Sequence, residues 1–104
     1  MSEPAGRPVR VTPRAASELD AAFAWYELQR GGLGTEFLRA VEAALAGAAR
    51  HPAMYPAVHG RVRRALLRRF PYGVFYLEEP DAVVVLGVIH AHQDPRDWPR
   101  GAEG

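Results

Sequence analysis

Eight consecutive residues, Ala82-Val83-Val84-Val85-Leu86-Gly87-Val88-Ile89, place no polar side chain on either alternation. Side chains alternate faces along a strand, so such a run suits a strand covered on both faces. The segment Ala82 to His90 is therefore predicted as a central strand, and the remaining chain must supply its cover. Glu79-Pro80-Asp81 is turn-forming, so Gly73 to Glu78 and the central strand read as a β-hairpin. A further strand is predicted at Val62 to Arg69. A short one is predicted at Val9-Arg10-Val11, where apolar and polar residues alternate.

The first half of the chain supplies the cover. At Thr12-Pro13 the hydroxyl suits the free amides of a first helical turn, and proline is tolerated at the first helical position. Leu19, Ala22, Phe23 and Tyr26 then recur on one helical face, until Gly31-Gly32 closes the helix. A second helix opens at Leu33-Gly34-Thr35-Glu36. Its stripe is Leu33, Phe37, Leu38, Val41, Ala44, Leu45 and Ala48, and Pro52 ends it. So short a glycine turn makes the two helices an antiparallel hairpin. Trp25-Tyr26 is assigned to the core of that hairpin. His51 to Gly60, with two prolines and a glycine, reads as a loop.

With 104 residues the chain supports one domain. The expected class is α+β, order β-α-α-β-β-β: an N-terminal strand, then an antiparallel helical hairpin packed on a small antiparallel sheet. Residues 9–98 form the domain, with Trp98 pinning the tail, and 1–8 and 99–104 are expected to be disordered. The chain has no cysteine, which excludes disulfides and thiolate–metal sites. No apolar run approaches the roughly 20 residues of a membrane helix, and the start lacks the order of a secretory signal. A cytoplasmic protein without membrane partners is expected.

Net charge is +1, yet its distribution is uneven. All 13 basic residues are arginine. Arg61, Arg63, Arg64, Arg68 and Arg69 crowd one segment, and no acid lies between Glu42 and Glu78. On a regular strand Arg61, Arg63 and Arg69 share one face, and Arg64 and Arg68 the other. A guanidinium is a planar fork of donors matched to phosphate or carboxylate. The patch therefore reads either as a grip on nucleic-acid backbone or an acidic protein segment, or as a solvated strand whose charges discourage edge pairing.

His90-x-His92-x-Asp94 would share a face if extended, which gives a general acid–base or metal-ligating set on paper. Pro95 bends the chain and no further ligand is evident, so no metal and no cofactor are assigned. His90 stays open between a catalytic role and an ordinary hydrogen bond at a strand end. Phe70-Pro71-Tyr72 and Tyr76 form an aromatic group beside the arginines. Bases stack on such rings, but core packing is the reading adopted for Phe70 and Pro71.

Taken in order, these features resemble the RelE/ParE toxin superfamily, and within it the ParE-like branch. They are the opening strand with Thr12-Pro13, Trp25-Tyr26, Gly32-Leu33-Gly34 with Glu36-Phe37-Leu38, and Pro52 with Tyr55-Pro56. After these come Arg63-Arg64, Arg69-Phe70-Pro71-Tyr72, the Tyr76 strand, His90, Asp94-Pro95 and Trp98. The resemblance implies the toxin of a bacterial type II toxin–antitoxin system of the kind linked to plasmid stabilisation. Its implied partner is a small antitoxin, ParD-like or related, which folds across the toxin and often builds hetero-oligomers with it.

Two targets follow from the resemblance. ParE-like members bind DNA gyrase and arrest growth without hydrolysing anything, whereas RelE-like members cleave mRNA in the ribosome. RNA cleavage needs a base, an acid and cations around the phosphorus. RelE-like nucleases draw these from lysines, arginines and a late tyrosine, or from a glutamate base. This chain has no lysine and no tyrosine after Tyr76, and Gln93 stands where many relatives carry an arginine before the Asp-Pro pair. A nuclease would have to use His90, His92, Arg64, Arg69 and Tyr76. A gyrase-directed, non-enzymatic toxin is the preferred reading, and a decayed, non-toxic binding module is a third. The binding surface is assigned to Arg61, Arg63, Arg64, Arg68, Arg69 and Tyr72, with Arg96 and Trp98 beside it.

Overall fold

The computed structural model describes residues 6–100. The elements run β1 (Val9–Val11), α1 (Pro13–Gln29), α2 (Leu33–Arg50), β2 (Ala57–His59), β3 (Val62–Leu66), β4 (Tyr72–Glu79) and β5 (Ala82–His90). Short 3-10 turns occupy Pro52–Met54 and Pro95–Asp97. The strands form one sheet in the order β1-β5-β4-β3-β2. The apolar run is thus an inner strand, flanked by β1 and β4, and the α+β arrangement of a helical hairpin on a sheet is as expected.

Local chemistry sets the hairpin. The Thr12 hydroxyl accepts from the Ala15 amide at 3.2 Å, capping α1. Gly32 takes φ +89 between the helices, a conformation that favours glycine, and offers α2 no side-chain cap. Glu27 of α1 fills that gap. Its carboxylate accepts from the amides of Gly32 at 3.2 Å and Gly34 at 2.8 Å, neutralising free donors at the start of α2. Gly34 is a point of close approach: a Cβ there would sit 2.8 Å from Phe23 Cδ2, Phe23 O and Glu27 Cγ.

The sheet divides two apolar layers. Toward the helices lie Val74, Tyr76, Val83, Val85 and Val88, packed under Tyr26, Phe37 and Val41. On the opposite face Val62, Phe75 and Ile89 form a smaller layer, joined by Leu77, Leu86 and Trp98. The β4–β5 register slips by one residue between Phe75↔Gly87 and Tyr76↔Val85, leaving a bulge at Leu86. Beyond the end of β1, the Val88 amide donates to Glu18 of α1 at 2.9 Å, so a carboxylate replaces the missing strand neighbour.

Several expectations need correction. The sheet is mixed, because β1 pairs parallel to β5 while the remaining pairs are antiparallel. The helical hairpin and three strands lie between β1 and β5 in sequence, the long crossover that a parallel pair requires. Ala57–His59, expected as loop, forms β2 against β3 around Gly60 at φ +55. The third predicted strand stops at Leu66 rather than Arg69. Phe70 drops into the core at 6% exposure, and the Leu67 amide turns to Tyr72 O at 2.9 Å, which draws residues 67–70 off the strand. Trp25, expected in the hairpin core, is 56% exposed.

The tail boundaries also move. The Arg7 amide donates to Ala49 O at 3.1 Å and Pro8 O accepts from Val83 at 2.8 Å, so residues 7 and 8 are tied to the domain rather than frayed. Pro99 is buried, against Gly87. The remaining disordered-tail expectations, for 1–5 and 101–104, lie outside the described residues.

Gly34→Val tests the helix contact. Removing glycine gains under about 1 kcal/mol of helix propensity, whereas overpacking costs about 1–3 kcal/mol. Chemical denaturation should show a net loss of stability. An unchanged midpoint would contradict the close approach.

Candidate functional site

The five clustered arginines do not form one face. Arg61 lies in the β2–β3 turn, where it donates to Glu78 O at 3.0 Å and pairs with Glu79 at 3.3 Å. Arg63 donates to Tyr55 O at 2.7 Å. Arg64 points to the opposite face, its guanidinium 4.8 Å from the centroid of Trp98, with a buried Nε that has no hydrogen-bond partner. Arg69 pairs with Glu36 of α2 at 2.8 Å, and Arg30 takes the other oxygen at 3.2 Å. Among the described residues Arg64 and Arg68 enter no ion pair and no side-chain hydrogen bond; Arg64 stacks on Trp98, whereas Arg68 is exposed. The two-faced assignment is thus replaced: Arg61, Arg68 and Arg69 are outside β3, and only Arg63 and Arg64 alternate within it.

Of the nuclease candidates only His90 and His92 lie together, their ring centroids 5.4 Å apart, and the others are dispersed. Tyr76 is 0% exposed and its hydroxyl donates to Pro52 O at 2.6 Å. Burial pushes that phenol up to about 12, against a smaller opposing pull from Arg63. A sealed phenol already donating to the backbone has no route to a substrate. The His90 ring packs on Tyr72 at 5.3 Å, and its Nδ1 accepts from the His92 amide at 3.1 Å. Tyr72 in turn packs on Phe37, so His90 belongs to the helical face, and burial raises the Tyr72 phenol. Arg64 lies across the sheet, with Trp98 and Phe75. The Asp94 carboxylate is gripped by Arg96 at 2.6 Å, and the side chain and amide of Arg96 hold it below the usual carboxylate range.

Two grooves flank the helices. One, of about 530 Å³, runs between α1 and the ends of β4 and β5, with Trp25, Tyr72, His90 and Gln93 on its walls. Leu28, 84% exposed, continues the Trp25 side of α1. The other, of about 360 Å³, lies between α2 and the end of β3. The sequence held a signal for the first: at about 100° per residue, Ala21, Trp25 and Leu28 share a stripe opposite Leu19, Ala22 and Tyr26.

The architecture recurs in toxin–antitoxin proteins. It matches the structure described as "Chromosomal ParDE TA system from P. aeruginosa" with TM-score 0.71 and 16% identity, over 86% of this chain and 100% of that one. It also matches a chain of the toxin–antitoxin complex RelBE2 from Mycobacterium tuberculosis, with TM-score 0.59 and 23% identity, over 86% of this chain and 97% of that one. At these identities the likeness is one of fold. Among curated proteins no sequence relative was found. The sequence pattern described as the ParE toxin of the type II toxin–antitoxin system parDE spans residues 9–95, and the chain belongs to that family. No helix among the described residues is long and apolar enough to cross a membrane.

Glu36 gives a pH test of the link between α2 and the basic segment. The side-chain bonds from Arg69 and then Arg30 hold its carboxyl below its ordinary value of 4.5. A depressed folded value means the pairing stabilises above about pH 5 and is lost as pH falls through the folded pKa. The stability gap between wild type and Glu36→Gln should therefore close on acidification in denaturation series. A gap independent of pH would show that the pairing carries no such linkage.

Proposed function

We propose that this chain is the growth-arresting member of a toxin–antitoxin pair, that it acts by binding DNA gyrase, and that a cognate antitoxin, ParD-like or related, neutralises it in a hetero-oligomer. Gyrase as target places the action in the cytoplasm. Family membership supports the toxin role. The observation that carries the non-enzymatic reading is the separation of His90 from Arg64 by the sheet. Phosphodiester cleavage needs proton transfer within hydrogen-bond reach and a cation at the same phosphorus. Here the imidazole shares a face with Tyr72 and Phe37, the guanidinium stacks on Trp98 across the sheet, and the remaining phenol candidate, Tyr76, is sealed. Arg69, the other cation of the set, is claimed by Glu36.

The test is a supercoiling assay with purified toxin and gyrase, run beside mapping of mRNA ends in a translating extract. The proposal expects supercoiling to be suppressed and messages to stay intact, with growth arrest retained in His90→Ala. New mRNA ends that vanish in His90→Ala, with gyrase unaffected, would select the ribosome-dependent nuclease. A folded protein that neither arrests growth nor touches gyrase would select the decayed module.

A further inference from the structure

A third cavity, of about 390 Å³, shares no lining residue with the two grooves. It lies at the Glu79 end of β4, whereas Tyr72 and His90 mark the other end. Three segments each bring one guanidinium to it: Arg7 ahead of β1, Arg61 in the β2–β3 turn and Arg63 of β3. Glu78 and Glu79 complete the polar wall. Each guanidinium is held through a single terminal nitrogen. Arg7 Nη2 lies 3.4 Å from Glu78, and Arg61 Nη2 reaches Glu78 O at 3.0 Å and Glu79 at 3.3 Å. Arg63 Nη1 donates to Tyr55 O at 2.7 Å. Among the described residues Arg63 enters no ion pair, and its Nε and Nη2 make no hydrogen bond.

Such contacts position the guanidiniums more than they consume them. Ion pairs in contact with water hold weakly, whereas a guanidinium fork takes an oxyanion through two charge-assisted bonds at once. The side chains sum to one positive charge, three guanidiniums against two carboxylates. A neutral occupant would leave Arg63 uncompensated, and a cation would add to the excess. The Oε1 atoms of Glu78 and Glu79 accept no hydrogen bond from the described residues, so they suit hydroxyl groups on the same ligand. No aromatic ring lines the cavity, so a nucleobase would find no stacking face. Its volume stands near the small end of the range for small-molecule sites. We propose that this cavity binds a small sugar phosphate, the phosphate on Arg61 and Arg63 and the hydroxyls on Glu78 and Glu79. The Arg7 amide also donates to Ala49 O at the end of α2, so an occupied site joins the N-terminal segment, α2 and the sheet.

Ribose 5-phosphate titrated into the full-length chain is the test, read by NMR shifts of arginine Nε–H and backbone amides and by thermal melting. Saturable shifts at Arg7, Arg61 and Arg63 are expected, with a Kd of about 1 mM or tighter and a Tm that rises with ligand. Arg61→Gln and Arg63→Gln should each weaken binding about tenfold or more, because each removes charge-assisted bonds. Arg61 is exposed in its turn, so Arg61→Gln reads the site without touching the core. Arg39→Gln removes an equal charge from an exposed position on α2 and should change affinity less than about twofold. Inorganic phosphate, which lacks the sugar hydroxyls, should bind at least about threefold more weakly than the ester. AMP, which adds a base, should bind no more tightly. Shifts that do not saturate, or an affinity that Arg61→Gln leaves unchanged, would overturn the site. Equal affinity for inorganic phosphate and ester, or a preference for AMP, would overturn its assignment to a sugar phosphate.

Discussion

Phe37 has no exposed surface, and its ring centroid lies 5.1 Å from Tyr26, 5.3 Å from Phe70 and 5.2 Å from Tyr72. These four rings come from α1, α2, the segment after β3 and the start of β4, so one contact set joins the hairpin to the sheet. Full burial of such a ring stabilises by about 1.5–3 kcal/mol, and each aromatic pair adds about 0.5–1.5 kcal/mol. That is a large share of the roughly 5–15 kcal/mol typical of a domain. The surface ion pairs contribute far less each. The arginines are accordingly positioned by the aromatic packing more than they support it.

The same packing distributes the surface groups. Drawing Phe70 inward ends β3 early, which turns Arg68 outward and lets Arg69 reach Glu36. Seating Tyr72 on Phe37 brings the His90 ring to the helical face, 5.3 Å from the phenol ring. On the other face Trp98 closes over Phe75 and takes Arg64 with it. A sequence rich in arginine thus yields separate engagements with carbonyls, carboxylates and a ring. Two grooves are left beside the helices.

Much of this was legible in the residues. Helix ends followed from Thr12-Pro13, Gly31-Gly32 and Pro52, whose preferences are local, and the central strand from an apolar run. Three things were not. The parallel direction of β1 is invisible in three residues, since pairing direction is a tertiary property. The strand at Ala57–His59 was hidden by Pro52 and Pro56 just before it, which mark turns without excluding an edge strand directly after them. The dispersal of the arginines was hidden because extending a strand to Arg69 ignores the pull of a buried Phe70. Tyr76 looked available for chemistry for a related reason: its alternation fits either face, and only the Pro52 carbonyl decides that its hydroxyl is sealed.

The claim on which the rest stands is that hairpin and sheet cohere as one unit around Phe37. Native-state hydrogen exchange under increasing denaturant measures this most directly, because it reports the opening free energy of each amide. The account expects the slowest amides of α2, β4 and β5 to converge on a single global opening, and Phe37→Leu to lower all of them together. An α1–α2 hairpin that opens at much lower free energy than the sheet, with β4 and β5 unmoved by Phe37→Leu, would contradict it.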